Sequence, residues 1–573
     1  MVRRFAAFAV LTLFLLPQIA AAQEQAILSY LDRFHPVRAQ NGMVATQEAI
    51  ASEVGLSILQ QGGNAVDAAV AIGFALAVTL PRAGNLGGGG FMIIHDAETG
   101  ETVALDYREM APAAASRDMY LAEDGAVDPT ASRFSHRASG VPGTVAGLLA
   151  ALERYGSLPR GAVIEPAIAL AEEGFEVSQA LSDSLKASEG RLSLFPAARE
   201  VFFKGEDDYY EPGDILRQPD LARSLRLIVE AGPSAFYQGP IAVKIAEEME
   251  RNGGLITLED LEAYRPVFRE PVKGSYRGYD IASMPPPSSG GAHLIQILNL
   301  LEDYPLAEMG HNSALSVHIM AEAMRLAYAD RSLHLGDSDF VPVPLSGLTS
   351  KAYADELRPK IDSYRATPSS QVNPGNPAPY ESNQTTHFSV MDAKGNAVAN
   401  TYTINFSYGS GIMAEGTGIL LNNEMDDFSA KPGVPNAYGL IGGEANAIEA
   451  GKRPLSSMTP TIVFKEGEPF LVTGSPGGSR IITTTLQIIL NVVDHGMNIA
   501  EATAAPRVHH QWLPDELRVE EGMSPDTLAL LRARGHEIAV KNAMGSTQSI
   551  LKTEEGLTGA SDPRSPGALT LGY

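Results

Sequence analysis

The chain has 573 residues, 44% hydrophobic and 19% charged, with 43 Lys plus Arg against 68 Asp plus Glu, a formal net charge of −25. Such an acidic balance argues against a protein that works by neutralising polyphosphate, and the length allows several large cores. There is no cysteine, which removes disulfides, zinc–thiolate sites, iron–sulfur clusters and cysteine nucleophiles.

The first segment reads as an address. Arg3 and Arg4 precede an apolar run over residues 5–16, and Ala20-Ala21-Ala22 then fits a small-x-small cleavage site. Residues 1–22 are expected to be removed as a signal peptide, leaving the mature protein in a bacterial periplasm or secreted. No later stretch reaches the roughly 20 uncharged residues of a membrane helix. No membrane anchor is therefore expected after cleavage, and no nucleic-acid partner.

A helical pattern runs over residues 46–61 and ends at Gly62-Gly63. Asn64 caps a second helix, with Asp67 three residues on in a capping-box pair. Apolar nearly all round from 65 to 80, this helix belongs in a large core. Gly84 and the glycines at 87–90 then precede a strand over 91–94. A dinucleotide fingerprint needs the strand before the glycines and the helix after them. The order here is reversed, so a nucleotide site is rejected.

Further helices are expected over 145–155, 166–173, 221–231 and 313–333, with a Thr257–Asp260 capping box before Leu261. On the long one, His318 and Glu322 lie four apart, a spacing that suits two metal ligands. No third ligand lies nearby in the sequence, so no metal is expected. The composition changes over 365–384, where Pro368, Pro374, Pro377 and Pro379 punctuate a polar stretch that reads as an exposed linker. Strands follow at 387–390 and 397–404 around the turn 392–396, and at 461–464 and 470–473. Antiparallel hairpins mixed with buried helices favour an α+β protein of packed layers over a parallel doubly wound sheet.

Few residues declare chemistry unaided. His509 and His510 are adjacent, and neighbours on a strand point to opposite faces, so they make a poor metal site. The stretch from Gly474 to Ser479 lacks the spacing of a serine nucleophile elbow, but its glycines could offer backbone N–H donors to a reacting oxygen. Thr385 sits where the linker meets a strand. If the bond from Gln384 broke, Thr385 would carry a free α-amine, whose pKa of about 7.7–8.0 leaves much of it neutral near physiological pH. That amine can take the proton of its own hydroxyl without a histidine. Read by itself, a threonine in a strand is structural.

Five separated motifs change that reading. Asn383-Gln384-Thr385-Thr386-His387-Phe388-Ser389-Val390 and Asn422-Asn423-Glu424-Met425-Asp426-Asp427-Phe428 resemble the γ-glutamyltranspeptidase (glutathione hydrolase) family. So do Pro454-Leu455-Ser456-Ser457-Met458, the run from Gly474 to Arg480, and Leu105-Asp106-Tyr107-Arg108-Glu109-Met110-Ala111-Pro112. The similarity runs from about residue 40 to the C-terminus.

The resemblance implies the four-layer αββα sandwich of the N-terminal-nucleophile hydrolases and a proenzyme that cuts itself between Gln384 and Thr385. The products would be a large subunit, 23–384, and a small catalytic subunit, 385–573, associated as a heterodimer. Thr385 would attack the γ-carbonyl of glutathione or another γ-glutamyl compound, and water or an amino acid or dipeptide acceptor would resolve the ester. The resemblance further implies that Thr403 orients Thr385 and that Gly477 and Gly478 form the oxyanion hole. Arg108 would hold the donor α-carboxylate with Ser456 and Ser457, while Asp427, Glu424 and Asn405 would receive its ammonium. Tyr438, in a lid-like stretch over 432–443, would cover the donor. No cofactor or metal is implied. The rival readings are a cephalosporin (glutaryl) acylase of the same fold and an exported solute-binding protein without catalysis.

Overall fold

The computed structural model describes residues 33–206, 208–375, 386–431, 433–434 and 442–573. The expected signal segment 1–22, Gln384, Thr385 and Tyr438 lie outside these residues. Among the described residues no helix is long and apolar enough to cross a membrane.

Among the described residues, fourteen strands build the centre. In chain order they are β1 Val37–Ala39, β2 Met43–Thr46, β3 Gly89–His95, β4 Thr102–Tyr107, β5 Val267–Arg269, β6 Val272–Tyr276 and β7 Tyr279–Ser283. The second half supplies β8 Thr386–Met391, β9 Ala397–Thr403, β10 Thr461–Lys465, β11 Glu468–Thr473, β12 Gln548–Thr553, β13 Gly556–Ser561 and β14 Leu569–Gly572. They form two seven-stranded sheets, ordered β1-β13-β12-β11-β10-β7-β6 and β14-β2-β8-β9-β3-β4-β5. Neighbours run antiparallel throughout both sheets.

Side chains alternate across these strands, so each sheet has two apolar faces to cover. Met43, Phe91, Ile93 and Met391 from one sheet meet Ala282, Ile462, Val472 and Ile550 from the other in a core between them. The outer face of the second sheet (Val44, Met92, Ile94, Phe388, Val390, Val398) packs on helices α1 Ala49–Gln60, α2 Ala65–Thr79 and α3 Thr144–Tyr155. The outer face of the first (Ile281, Val463, Leu471, Leu551) packs on α4 Gly290–Leu301, α5 Ala314–His334 and α6 Arg480–Val493. Helix, sheet, sheet and helix are the four layers. Every residue of α2 is buried, and Asn64 and Asp67 cap it reciprocally, as its all-round apolar sequence requires.

Two expectations are corrected. The helix expected from Pro166 begins at Arg160 and carries Pro166 inside it; packing of Val163, Ile164, Ala167 and Ile168 overrides the proline signal. The segment from 365 keeps a linker's exposure at Arg365, Pro368, Ser370, Gln371 and Asn373, but as far as it is described it is not a free one. Trp512 Nε1 lies 3.1 Å from both Ser369 O and Val372 O, and the Gly375 N–H donates to Asp330 Oδ1 at 2.6 Å. A polar, proline-rich stretch has no apolar period, yet side chains from distant elements hold it in place.

Strands from before and after residues 376–385 alternate. The seams between the two halves are β1/β13 and β10/β7 in one sheet, and β14/β2, β2/β8 and β9/β3 in the other. A chain cut anywhere in 376–385 is therefore expected to elute as one particle on native gel filtration and to separate only on a denaturing gel. Two separately eluting pieces under native conditions would contradict this reading of the sheets.

Candidate active site

β8 starts at the residue after Thr385 and pairs along its length with β9, from Thr386↔Tyr402 to Met391↔Ala397. The far end of β9 is Thr403, whose ladder partner is Gly89 and whose carbonyl accepts from Asn85 Nδ2 at 2.9 Å. Here the glycine cluster finds its reason. A Cβ on Gly88 would overlap Thr403 O, and one on Gly90 would overlap Tyr402. The glycines let two backbones close on each other; they do not cradle phosphate.

Asn405, in the left-handed region at φ 69°, turns the chain out of β9. Its N–H donates to Thr403 Oγ1 at 2.8 Å and its Nδ2 to Asn423 O at 2.9 Å, so it ties the strand end to the segment that carries Glu424. Opposite lies the loop between β11 and α6. Gly477 and Gly478 take φ of 136° and 64° there, conformations that L side chains rarely adopt. Among the described residues neither of their N–H groups is engaged in a hydrogen bond. A cavity of about 310 Å³ brings Thr403, Asn405 and Gly477 together with Gln47, Arg82 and Arg480. Thr386 Oγ1 donates to Gln47 Oε1, which fastens the start of β8 to the wall of that cavity.

Beside it is a cluster of buried charge. The Arg108 guanidinium is fully buried and donates to Glu424 and to Asp427, the latter at 2.6 Å, while Nε donates to Pro454 O at 3.0 Å. Glu109 Oε2 lies 3.6 Å from the same guanidinium. Three fully buried carboxylates thus face one fully buried cation. Burial pushes Glu109 up to about 7, against the pull of Arg108. Burial likewise raises Glu424 well above the carboxylate range, with Arg108 opposing and Glu109 and Asp427 adding to it. The cluster reaches the end of β9 through Gly89, the ladder partner of Thr403, because a Cβ there would overlap Glu109.

Ser456 and Ser457 are buried on the segment that follows Pro454 and Leu455. The Ser456 backbone bonds to residues 287–289 at the start of α4, and Ser456 Oγ accepts from Met458 N at 3.1 Å. Arg331, on α5, donates to Ser457 Oγ.

The fold therefore gathers Thr403, Asn405 and Gly477 at one cavity and binds Arg108, Glu424 and Asp427 into one cluster. Gln384, Thr385 and Tyr438 fall outside the described residues. Sequence reasoning passed over Glu109, although it stands next to Arg108 in a motif already singled out. It also passed over Arg331, for which the sequence holds no signal, and His387. That imidazole is buried, contacts Thr401 Oγ1 and Ser389 Oγ at 2.9 and 3.1 Å, and fills the space a side chain on Gly474 would need. A larger cavity, about 750 Å³, is lined by residues such as His136, Arg217 and Glu415 and holds none of the expected residues. Size does not locate the chemistry here. His509 and His510 diverge as expected, His509 to Thr483 and Gln511, His510 to Arg325 and Asp515.

Four layers, with a glycine loop facing the strand end beside the residue expected to become an N-terminus, define the N-terminal-nucleophile hydrolase class. The gamma-glutamyltranspeptidase family model matches residues 51–571, and the chain belongs to that family of enzymes. It is 60% identical to the glutathione hydrolase proenzyme of Escherichia coli over 95% of this chain and 93% of that one. Among solved structures, the gamma-glutamyltranspeptidase of Helicobacter pylori is 51% identical over 57% of this chain and 93% of its own, with a TM-score of 0.56. The cephalosporin acylase of Bacillus halodurans is 28% identical, covers 96% of this chain and 99% of its own, and has a TM-score of 0.84. The higher score accompanies the fuller coverage, and the higher identity lies with the transpeptidase.

The cluster makes a pH prediction. A carboxyl whose folded pKa, about 7, exceeds its ordinary 4.5 adds stability below about pH 4.5 and loses it as pH rises through about 7. Wild type should therefore lose stability relative to Glu109→Gln over that window, measured by urea unfolding at each pH. Parallel curves for the two proteins would contradict the raised pKa.

Proposed function

We propose that the chain is an exported proenzyme that cleaves itself between Gln384 and Thr385 and then transfers or hydrolyses the γ-glutamyl group of glutathione and related compounds. Residues 1–22 are its signal peptide and the periplasm its place of work. Residues 23–384 and 385–573 become its large and small subunits.

The observation that carries this reading is the buried cluster of Arg108, Glu424 and Asp427 beside the cavity of Thr403, Asn405 and Gly477. A γ-glutamyl donor presents an α-carboxylate and an α-ammonium remote from its scissile amide. On donor binding Arg108 would exchange its bonds to Glu424 and Asp427 for the donor carboxylate, with Ser456 and Ser457 as hydroxyl partners. Glu424 and Asp427, with Asn405, offer acceptors for the ammonium. Each hydrogen bond to a charged group contributes about 1.5–3 kcal/mol, so the pocket selects for both charges together.

Cleavage frees the Thr385 amine. That amine takes the Thr385 hydroxyl proton as the oxygen attacks the γ-carbonyl carbon, with Thr403 orienting the hydroxyl. The tetrahedral oxyanion is held by the N–H groups of Gly477 and Gly478; losing one such donor typically costs about 2.7–4 kcal/mol. The proton passes to the departing amine, leaving a γ-glutamyl ester on Thr385. Water, or the amine of an amino acid or dipeptide, then attacks that ester and restores the threonine. Tyr438 would close over the donor and limit the entry of water.

Thr385→Ala is expected to leave one precursor band on a denaturing gel and no turnover; two bands in that variant would remove Thr385 from its role. The acylase alternative has its own test. Cleavage of γ-glutamyl-p-nitroanilide should exceed that of glutaryl-p-nitroanilide by roughly 10- to 100-fold in kcat/KM, the loss expected when the ammonium contacts go. Preference for the glutaryl compound would overturn the donor assignment while leaving the nucleophile untouched.

A further inference from the structure

Away from the active site, tertiary packing supplies the ligand that sequence spacing did not. His318 and Glu322 lie one turn apart on α5, and His536 reaches them from 218 residues further along the chain. One donor atom from each of the three lies within 4.8 Å of the others, and all three side chains are buried. We propose that His318, Glu322 and His536 form a binding site for a transition-metal cation of the zinc, nickel or copper class.

The hydrogen bonds around the cluster support this assignment. His318 Nε2–H donates to Asp362 O at 2.7 Å, which fixes the tautomer and turns the Nδ1 lone pair toward His536 Nε2, 2.7 Å away. A backbone carbonyl on the outer nitrogen is the usual support for a ligating imidazole. Ligands about 2.1 Å from a tetrahedral ion stand ~3.4 Å apart, so the imidazoles need to part by roughly 0.7 Å. The contact between the two rings leaves the intervening proton on His536 Nε2, so metal binding moves it to His536 Nδ1.

Glu322 is already held, by the N–H and hydroxyl of Thr367 and by Arg325. Arg325 has a second carboxylate to turn to, Asp515, at 3.6 Å. Locally, Glu322 and Asp515 balance Arg325 and Arg534, so affinity must come from the donor set rather than from net field. Two imidazoles and one carboxylate favour zinc, copper or nickel over magnesium or calcium. A cavity of about 160 Å³ lined by Arg325, Thr367, His510, Asp515 and His536 lies against the His536 side of the trio.

The test uses the processed, tag-free protein after dialysis against a chelator. Calorimetric titration with zinc chloride should show one tight equivalent per pair of large and small subunits, and His536→Gln or Glu322→Gln should weaken it at least tenfold. His536→Gln should retain wild-type turnover of γ-glutamyl-p-nitroanilide, since it touches no active-site residue. Wild type loaded with cobalt should also show the intense visible bands of a tetrahedral nitrogen–oxygen site, a readout that needs no variant to fold. No saturable zinc binding in wild type, equal affinity in His536→Gln, or cobalt spectra of the free aquo ion would overturn the site.

Discussion

Arg108 is the constraint around which the rest is arranged. A guanidinium taken wholly out of water costs several kcal/mol unless it is paired and its N–H groups are used. Here it meets Glu424, Asp427, Glu109 and the carbonyl of Pro454. These partners come from opposite sides of the junction at 376–385: residues 108 and 109 from the first part of the chain, 424, 427 and 454 from the second. These contacts staple the two parts together. Removing either sign would leave the other buried and unpaired.

The sheets extend that logic to the whole molecule. β8 begins one residue beyond the expected nucleophile and is paired on both sides, by β2 from before the junction and by β9 from after it. The new N-terminus of a cut chain would therefore sit on a strand whose register is already fixed. Thr403 ends β9 in the same sheet, and the Gly474–Gly478 loop follows β11 of the facing sheet. Backbone pairing thus fixes the start of β8 and the end of β9, with the glycines at 88–90 allowing β3 and β9 to come close enough.

Buried polar groups outside the reaction serve the same end by different means. His387 fills the space beside Gly474 between the sheets, and Arg331 fixes the Ser457 hydroxyl. Neither fits an apolar period, and both are buried because a specific partner compensates their desolvation. The long α5 helix carries Arg331 toward the serines and His318 with Glu322 toward His536, so one element serves two polar clusters.

Local order was legible in the sequence wherever a short-range rule governs it. The reciprocal cap of α2, the hairpin of β8 and β9, the helical spacing of α5 and the glycine loop before α6 all follow from residues within a few positions of each other. The motif resemblance carried the candidate residues as well, because families preserve such patterns at readable spacing. Tertiary structure alone decided that the stretch after 365 is pinned by Trp512 and Asp330, that Pro166 lies inside a helix, that Glu109 is pushed toward neutrality, and that His536 completes a trio with His318 and Glu322. Each of these depends on burial or on a partner tens to hundreds of residues away. Desolvation and long-range contact have no signature in a linear pattern, whereas backbone periodicity and capping do.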